Sequence, residues 1–322
     1  MFICRIYLIF VALCSTLKEK RKGDPQMKKT VYAYNLKAIN SNDKYFKNVE
    51  SFERDLCAVV QGLCEQDKVT RRKDLQSDKK IIYISSYKYD NKHKILFLQF
   101  ISAKYDFVRT VVDTDTLTEK KNLQKGKKDG EEEYNHMAIK FKDNNTAVCL
   151  YESNYYGIGF TKVVKYLEYF SKKYHTNKND SIRYNIVHKN IVSKDFLEAL
   201  QRVERIKMVT LEVESEAINV SEQKKFAKRA DLSQTADIVL KPSAKGSSIL
   251  SDTVKDFYKM YNDKNTSILS VTVDAENENK DPIKFDTESM KQKDIVEVDT
   301  NSRGEVESTS IYRRFEEILE FY

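Results

Sequence analysis

Residues 136–141 alternate apolar and polar side chains, Lys142-Asp143-Asn144-Asn145 is a turn signal, and residues 146–151 alternate again. Period-two patterning on both sides of a polar turn predicts an antiparallel hairpin. Asn154-Tyr155-Tyr156-Gly157-Ile158-Gly159 then forms a corner, and residues 161–174 change to helical spacing, with Val163, Leu167, Phe170 and Tyr174 on one face. This strand–strand–helix unit seeds a sheet-plus-helix core, and the rest of the chain is placed around it.

Before it, residues 30–39 read as a strand. A helix is expected over 44–65, with cap candidates Ser41, Asn42 and Asp43 and an apolar face of Phe46, Val49, Phe52, Leu56, Val59 and Leu63. Residues 81–89 and 94–103 form a hairpin around Asp90-Asn91-Lys92-His93, and 105–113 is expected to add a third strand. After the central unit, strands are expected at 182–188, 208–214, 236–241 and 267–275, and helices at 192–203, 251–261 and 311–322. Residues 295–299 are expected to pair with 282–285. The pattern gives an α+β fold: an antiparallel sheet with packed helices, plus a second, smaller α+β domain. The expected division is 27–174 and 181–322, with 1–26 set apart.

Within 322 residues Gly (8) and Pro (3) are scarce, so collagen-like and proline-rich classes are excluded. The net charge of +7 is unevenly spread: residues 267–322 hold 7 Lys+Arg against 14 Asp+Glu, which leaves +14 on residues 1–266. A basic body points to a polyanionic partner, and a lysine-rich solvated surface is the plain alternative. The five cysteines show neither a CxxC pair nor zinc-ligand spacing, which fits a reducing cytoplasm. Residues 1–17 are mostly apolar but short for a span, with Arg5 inside. Met27 opens a natural first strand, so residues 1–26 are read as an over-extended start, with an N-terminal apolar segment as the alternative; with Met27 as the start no membrane role is expected.

No Walker loop, GxGxxG, HExxH or GxSxG run occurs, and the four histidines are scattered, so neither a catalytic residue, a cofactor nor a metal is expected. Candidate nucleic-acid contacts are Arg71, Arg72, Lys73, Lys120, Lys121, Lys125, Lys127, Lys128, Lys224, Lys225, Lys228 and Arg229, with Lys172 and Lys173 beside them. These clusters flank sheet edges and loops, with few aromatics between them, a pattern suited to duplex backbone contact. Tyr155, Tyr156, Gly157 and Gly159 could turn backbone N–H groups towards an anion; the alternative is a plain corner whose tyrosines pack on the sheet.

The order of elements in the second half resembles the RexA-type phage-exclusion family of phage-defence proteins. The likeness is carried by His136-Met137-Ala138-Ile139, by Phe196-Leu197-Glu198-Ala199-Leu200 leading to Val209-Thr210-Leu211-Glu212-Val213, and by Val254-Lys255-Asp256-Phe257 followed by the strand 267–275. The resemblance implies a non-enzymatic, self-associating, DNA-binding protein. The expected function is therefore largely sequence-independent duplex-DNA binding in phage defence or exclusion, by a cytoplasmic homo-oligomer. A metal-dependent nuclease or hydrolase with an unrecognised site, and a protein-interaction module using the acidic C-terminal region, are the alternatives.

Overall fold

A computed structural model describes residues 26–40, 47–106, 110–120, 126–142, 145–214, 235–243, 248–263 and 267–322. The strands of the first half are β1 (Gln26–Asn40), β2 (Lys73–Leu75), β3 (Lys80–Asp90), β4 (Ile95–Lys104), β5 (Val111–Val112), β6 (Glu119–Lys120), β7 (Glu131–Phe141) and β8 (Thr146–Ser153). Those of the second are β9 (Tyr184–Asn190), β10 (Arg205–Glu214), β11 (Thr235–Leu240), β12 (Ile268–Glu276), β13 (Pro282–Asp286) and β14 (Lys293–Asp299). The helices are α1 (Phe52–Cys64), α2 (Phe160–Asn177), α3 (Asp195–Gln201), α4 (Ser251–Asn262) and α5 (Ser308–Leu319). The architecture is α+β with antiparallel sheets.

The main sheet runs β14-β1-β8-β7-β4-β3-β2, and β9 also pairs with β1. Its middle strands bury both faces, so β4 and β7 are richer in apolar residues than half-buried strands need to be. Leu96, Leu98, Phe100, Met137, Ile139 and Cys149 pack under α1 and α2. Their alternating neighbours Ile95, Phe97, Ala138, Val148 and Leu150 pack under α5, against Ile311, Phe315 and Leu319.

The far edge of β1 is shared. β14 pairs with Gln26 to Tyr32, and β9 with Tyr34 to Asn40. Where the two meet, Gln292 N–H donates to Ile191 O at 2.6 Å and Ser193 N–H to Met290 O at 2.8 Å. The chain thus departs and rejoins side by side, and residues 193–290 form an insert between β9 and β14. The insert has its own sheet, β11-β10-β12-β13, and its own core around Phe196, Leu200, Val209, Val271, Val273 and Phe285.

Several expectations change. The chain does not partition at 174/181: β9, β14 and α5 lie beyond that cut yet belong to the main sheet. β14 does not pair with β13, because β13 pairs with β12 while β14 buries Val296 and Val298 beside β1. No third strand continues from β4. The chain turns at Asp106, in the left-handed region at φ 59, and Val111–Val112 form an exposed ribbon with β6. β7 takes the place beside β4 instead, since it supplies residues that can bury both faces. Helix α1 starts later than expected, capped by Ser51, whose Oγ accepts the Arg54 N–H. Ser41, Asn42 and Asp43 lie outside the described residues.

Leu167 is sealed between α2 and the sheet. Leu167→Ala should cost about 2–5 kcal/mol. A chemical-denaturation midpoint equal to wild type would show that the inward face of α2 is wrongly placed.

Candidate functional site

Helix α2 buries Val163, Val164, Tyr166, Leu167 and Phe170 and turns Lys162, Lys165, Tyr169 and Lys172 outward. These four recur at helical spacing, so they form one stripe. At a rise of 1.5 Å per residue it is about 15 Å long. The helix has a single carboxylate, Glu168, which is turned inward and accepts the Ile186 N–H at 2.7 Å.

Other lysines converge on this stripe from the sheet edge. Lys73 of β2 donates to Lys165 O at 3.1 Å and lies 4.7 Å from the centre of the Tyr169 ring. Burial lowers the pKa of the Lys73 ammonium, Glu168 opposes that shift, and Lys165 and Lys172 add to it. Lys162 pairs with Asp78. Lys80 donates to the carbonyls of Tyr156 at 2.7 Å and Gly157 at 2.6 Å, with Lys104 close enough to help burial lower its pKa. A helix face with a sheet edge beside it thus gathers several lysines, whereas the sequence pattern suggested edges and loops alone.

The expected contact residues fare differently. Arg71 is buried: its carbonyl accepts the Tyr166 hydroxyl at 2.7 Å, and its guanidinium sits by the Cys64 thiol. It is a core residue, unavailable to phosphate. Arg72 and Lys128 line one open groove of about 540 Å³, together with Asp74, Asp129 and Glu132. Lys127 is exposed beside Asp106, and Lys120 is paired with Asp113 at 2.7 Å. Lys121, Lys125, Lys224, Lys225, Lys228 and Arg229 lie outside the described residues. Lys162 and Lys165 were missed because singly spaced lysines do not read as a cluster until the helix is wound.

At the glycine corner three backbone N–H groups are bonded within the chain. The Ile158 N–H donates to Asn135 Oδ1 at 2.9 Å, the Tyr156 N–H to Asn154 Oδ1 at 3.2 Å, and the Gly157 N–H to Asn154 O at 3.1 Å. Gly157 is needed for close approach: a Cβ there would lie 2.2 Å from Asn135 Oδ1. Gly159 precedes α2 in extended conformation, with open space around it. The tyrosines do not pack on the sheet either, since Tyr155 is 92% and Tyr156 52% exposed.

A second group of chemically capable side chains lies on the opposite face of the sheet. Gln99 of β4 stands opposite His136 of β7, and Glu152 of β8 follows, with Lys29 of β1 beyond it. His136 Nδ1 is 2.7 Å from Glu152 Oε2, and the other carboxylate oxygen is 3.1 Å from Lys29 Nζ. His136 Nε2 is 2.9 Å from Ser308 Oγ at the start of α5. The His136 and Glu152 side chains are sealed from water, and Ser308 is half-buried. Four strands and a helix must pair correctly to align these groups, so no local motif reveals them.

No family model matches this chain, and no curated protein matches it. Among the described residues no helix is long and apolar enough to cross a membrane, and no group of His, Cys, Asp and Glu could hold a metal ion.

Gly157→Ala should destabilise by about 1–3 kcal/mol, because the methyl must displace Asn135 from its bonds to Ile158 N–H and Glu152 O. A thermal melt superimposable on wild type would refute that packing constraint. The His188 imidazole has its pKa lowered from 6.5 by burial, then by Lys291 and Lys165. Between the folded value and 6.5 the unfolded chain binds more protons, so this contribution to stability is full above 6.5 and declines as pH falls through that window. NMR titration should place the His188 midpoint below 6.5; a midpoint above it would contradict the basic surroundings.

Proposed function

We propose that this protein binds DNA, chiefly as duplex, through its phosphates and with little sequence preference. The observation that carries this is the outward face of α2, where Lys162, Lys165 and Lys172 line up around Tyr169 with Lys73 alongside. A linear row of cations, with Glu168 bonded to the Ile186 N–H and Lys162 paired with Asp78, suits the regular charge of a duplex backbone. The resemblance to phage-exclusion proteins supports a role for that binding in phage defence, by a cytoplasmic, self-associating protein. The acidic stretch 267–322 is built into both sheets and α5, so removing it would open two cores and cannot serve as a test of charge.

Counterion release sets the expected behaviour: log K falls with log salt by about 0.9 per phosphate neutralised. Replacing Lys73, Lys165 and Lys172 together by Ala should weaken all duplex sequences alike and flatten that slope by about 2–3. Fluorescence anisotropy across a salt series measures both quantities. Absence of binding at low salt, or binding indifferent to salt, would overturn the proposal.

One observation favours single-stranded DNA as a second reading: Tyr155 and Tyr156 stand exposed around a recess shared with Lys80, Lys104, Glu131 and Glu133. Stacking on an aromatic ring contributes about 1–3 kcal/mol per base. Oligothymidine outcompeting duplex, with that advantage lost in Tyr155→Ala, would select this reading.

A further inference from the structure

We infer that Ser308, His136 and Glu152 form a nucleophile–base–carboxylate relay able to cleave a neutral carboxylic ester. The site lies on the α5 face of the sheet and is independent of the basic face of α2.

The tautomer of His136 follows from its neighbours. A carboxylate oxygen only accepts, so Nδ1, 2.7 Å from Glu152 Oε2, carries the proton. Nε2 then presents a lone pair to the Ser308 hydroxyl at 2.9 Å. Gln99 strengthens this assignment. Its Oε1 accepts the Ser85 hydroxyl at 2.6 Å, which turns Nε2 towards Ser308 Oγ at 3.0 Å and His136 Nε2 at 3.4 Å. The Glu152 carboxylate is held twice more, by the His136 backbone N–H at 3.2 Å and by Lys29 at 3.1 Å. The Tyr312 ring packs edge-on to the imidazole at 5.5 Å and helps to keep water from it. A base within hydrogen-bond reach of a hydroxyl, itself oriented by a buried carboxylate, is the arrangement that activates serine.

Ser308 opens α5, and Glu307 before it forms no side-chain cap bond. The N–H groups of Ser308 and Thr309 have no carbonyl within the helix to bond, so they can face a developing oxyanion. Glu307 is exposed next to Ser308, and Glu305 lies towards Tyr134, which disfavours an anionic acyl group.

In the step proposed, Ser308 Oγ bonds to the ester carbonyl carbon as its proton passes to His136 Nε2. The bond to the alcohol oxygen breaks, and that oxygen takes the proton from Nε2. Water then attacks the acyl-serine with the same base, returning the hydroxyl and releasing the acid. One ester and one water give one acid and one alcohol.

The full chain is treated with a fluorophosphonate probe, and the adduct is located by peptide mass spectrometry; p-nitrophenyl butyrate hydrolysis is followed in parallel. The expected result is an adduct on Ser308, absent in Ser308→Ala and retained in a variant of the exposed Ser302, Ser302→Ala, with hydrolysis falling to background in Ser308→Ala. His136→Gln, where its circular dichroism matches wild type, should slow labelling on the order of 10²-fold or more. Folded wild type without an adduct at Ser308 would overturn the inference, as would labelling that a folded His136→Gln variant leaves unchanged. Should His136→Gln fail to fold, the wild-type and Ser308→Ala pair decides.

Discussion

Strand β1 is the element on which the structure depends, because both of its edges are used and one is used twice. β8 takes one side, and β14 and β9 divide the other end to end. A strand with unpaired N–H and C=O groups invites association with other chains, and here that edge is closed by segments from far along the sequence. The division also explains the insert. Once β9 has covered one half of the edge and β14 must cover the other, the chain between them can form a separate layer only if it departs and returns at one point. The short bonds joining residues 191–193 to 290–292 mark that point.

Legibility in the sequence follows the range of the interaction. The pairings of β3 with β4 and of β7 with β8 and the inward face of α2 were readable because period and turn chemistry are local, although Asp143 and Asn144 of the expected turn lie outside the described residues. Pairing partners were not. Val296 and Val298 look equally suited to β13 or to β1, and only the long-range fit of β14 under α5 separates the two. Arg71 illustrates the same limit for the site. In sequence it belongs with Arg72 and Lys73, whereas in the fold it turns inward to Tyr166 and Cys64. Lys165, unremarkable in sequence, becomes a neighbour of Lys73, and Lys162 a neighbour of Lys80, once α2 lies along the sheet edge.

The two faces of the sheet therefore carry different chemistry. Along the outer face of α2 lie ammonium groups that crowd one another, with Lys165 and Lys172 close to Lys73. Beneath α5 lies a polar row that crosses β1, β8 and β7 within an otherwise apolar layer. The sheet lets both coexist, since successive residues of a strand face opposite ways: Leu98 packs under the helices while Gln99 reaches Ser308.

Energetics bear on what the buried row is for. Replacing a buried ion pair by apolar residues of similar volume is often neutral, or stabilising by about 1–4 kcal/mol. The layer under α5 already supplies such residues, with Val31 and Ala33 next to Lys29 on β1 and Leu150 next to Glu152 on β8. An all-apolar row would close this core at least as well, so burial alone does not account for Lys29, Glu152 and His136. What the polar row adds is direction. Each group holds the next in one orientation, and the series runs from half-buried Lys29 to the half-buried hydroxyl of Ser308. A network serving only to fix strand register could end on a buried backbone acceptor; one that ends on an oriented serine at a helix start has its last group placed to meet another molecule.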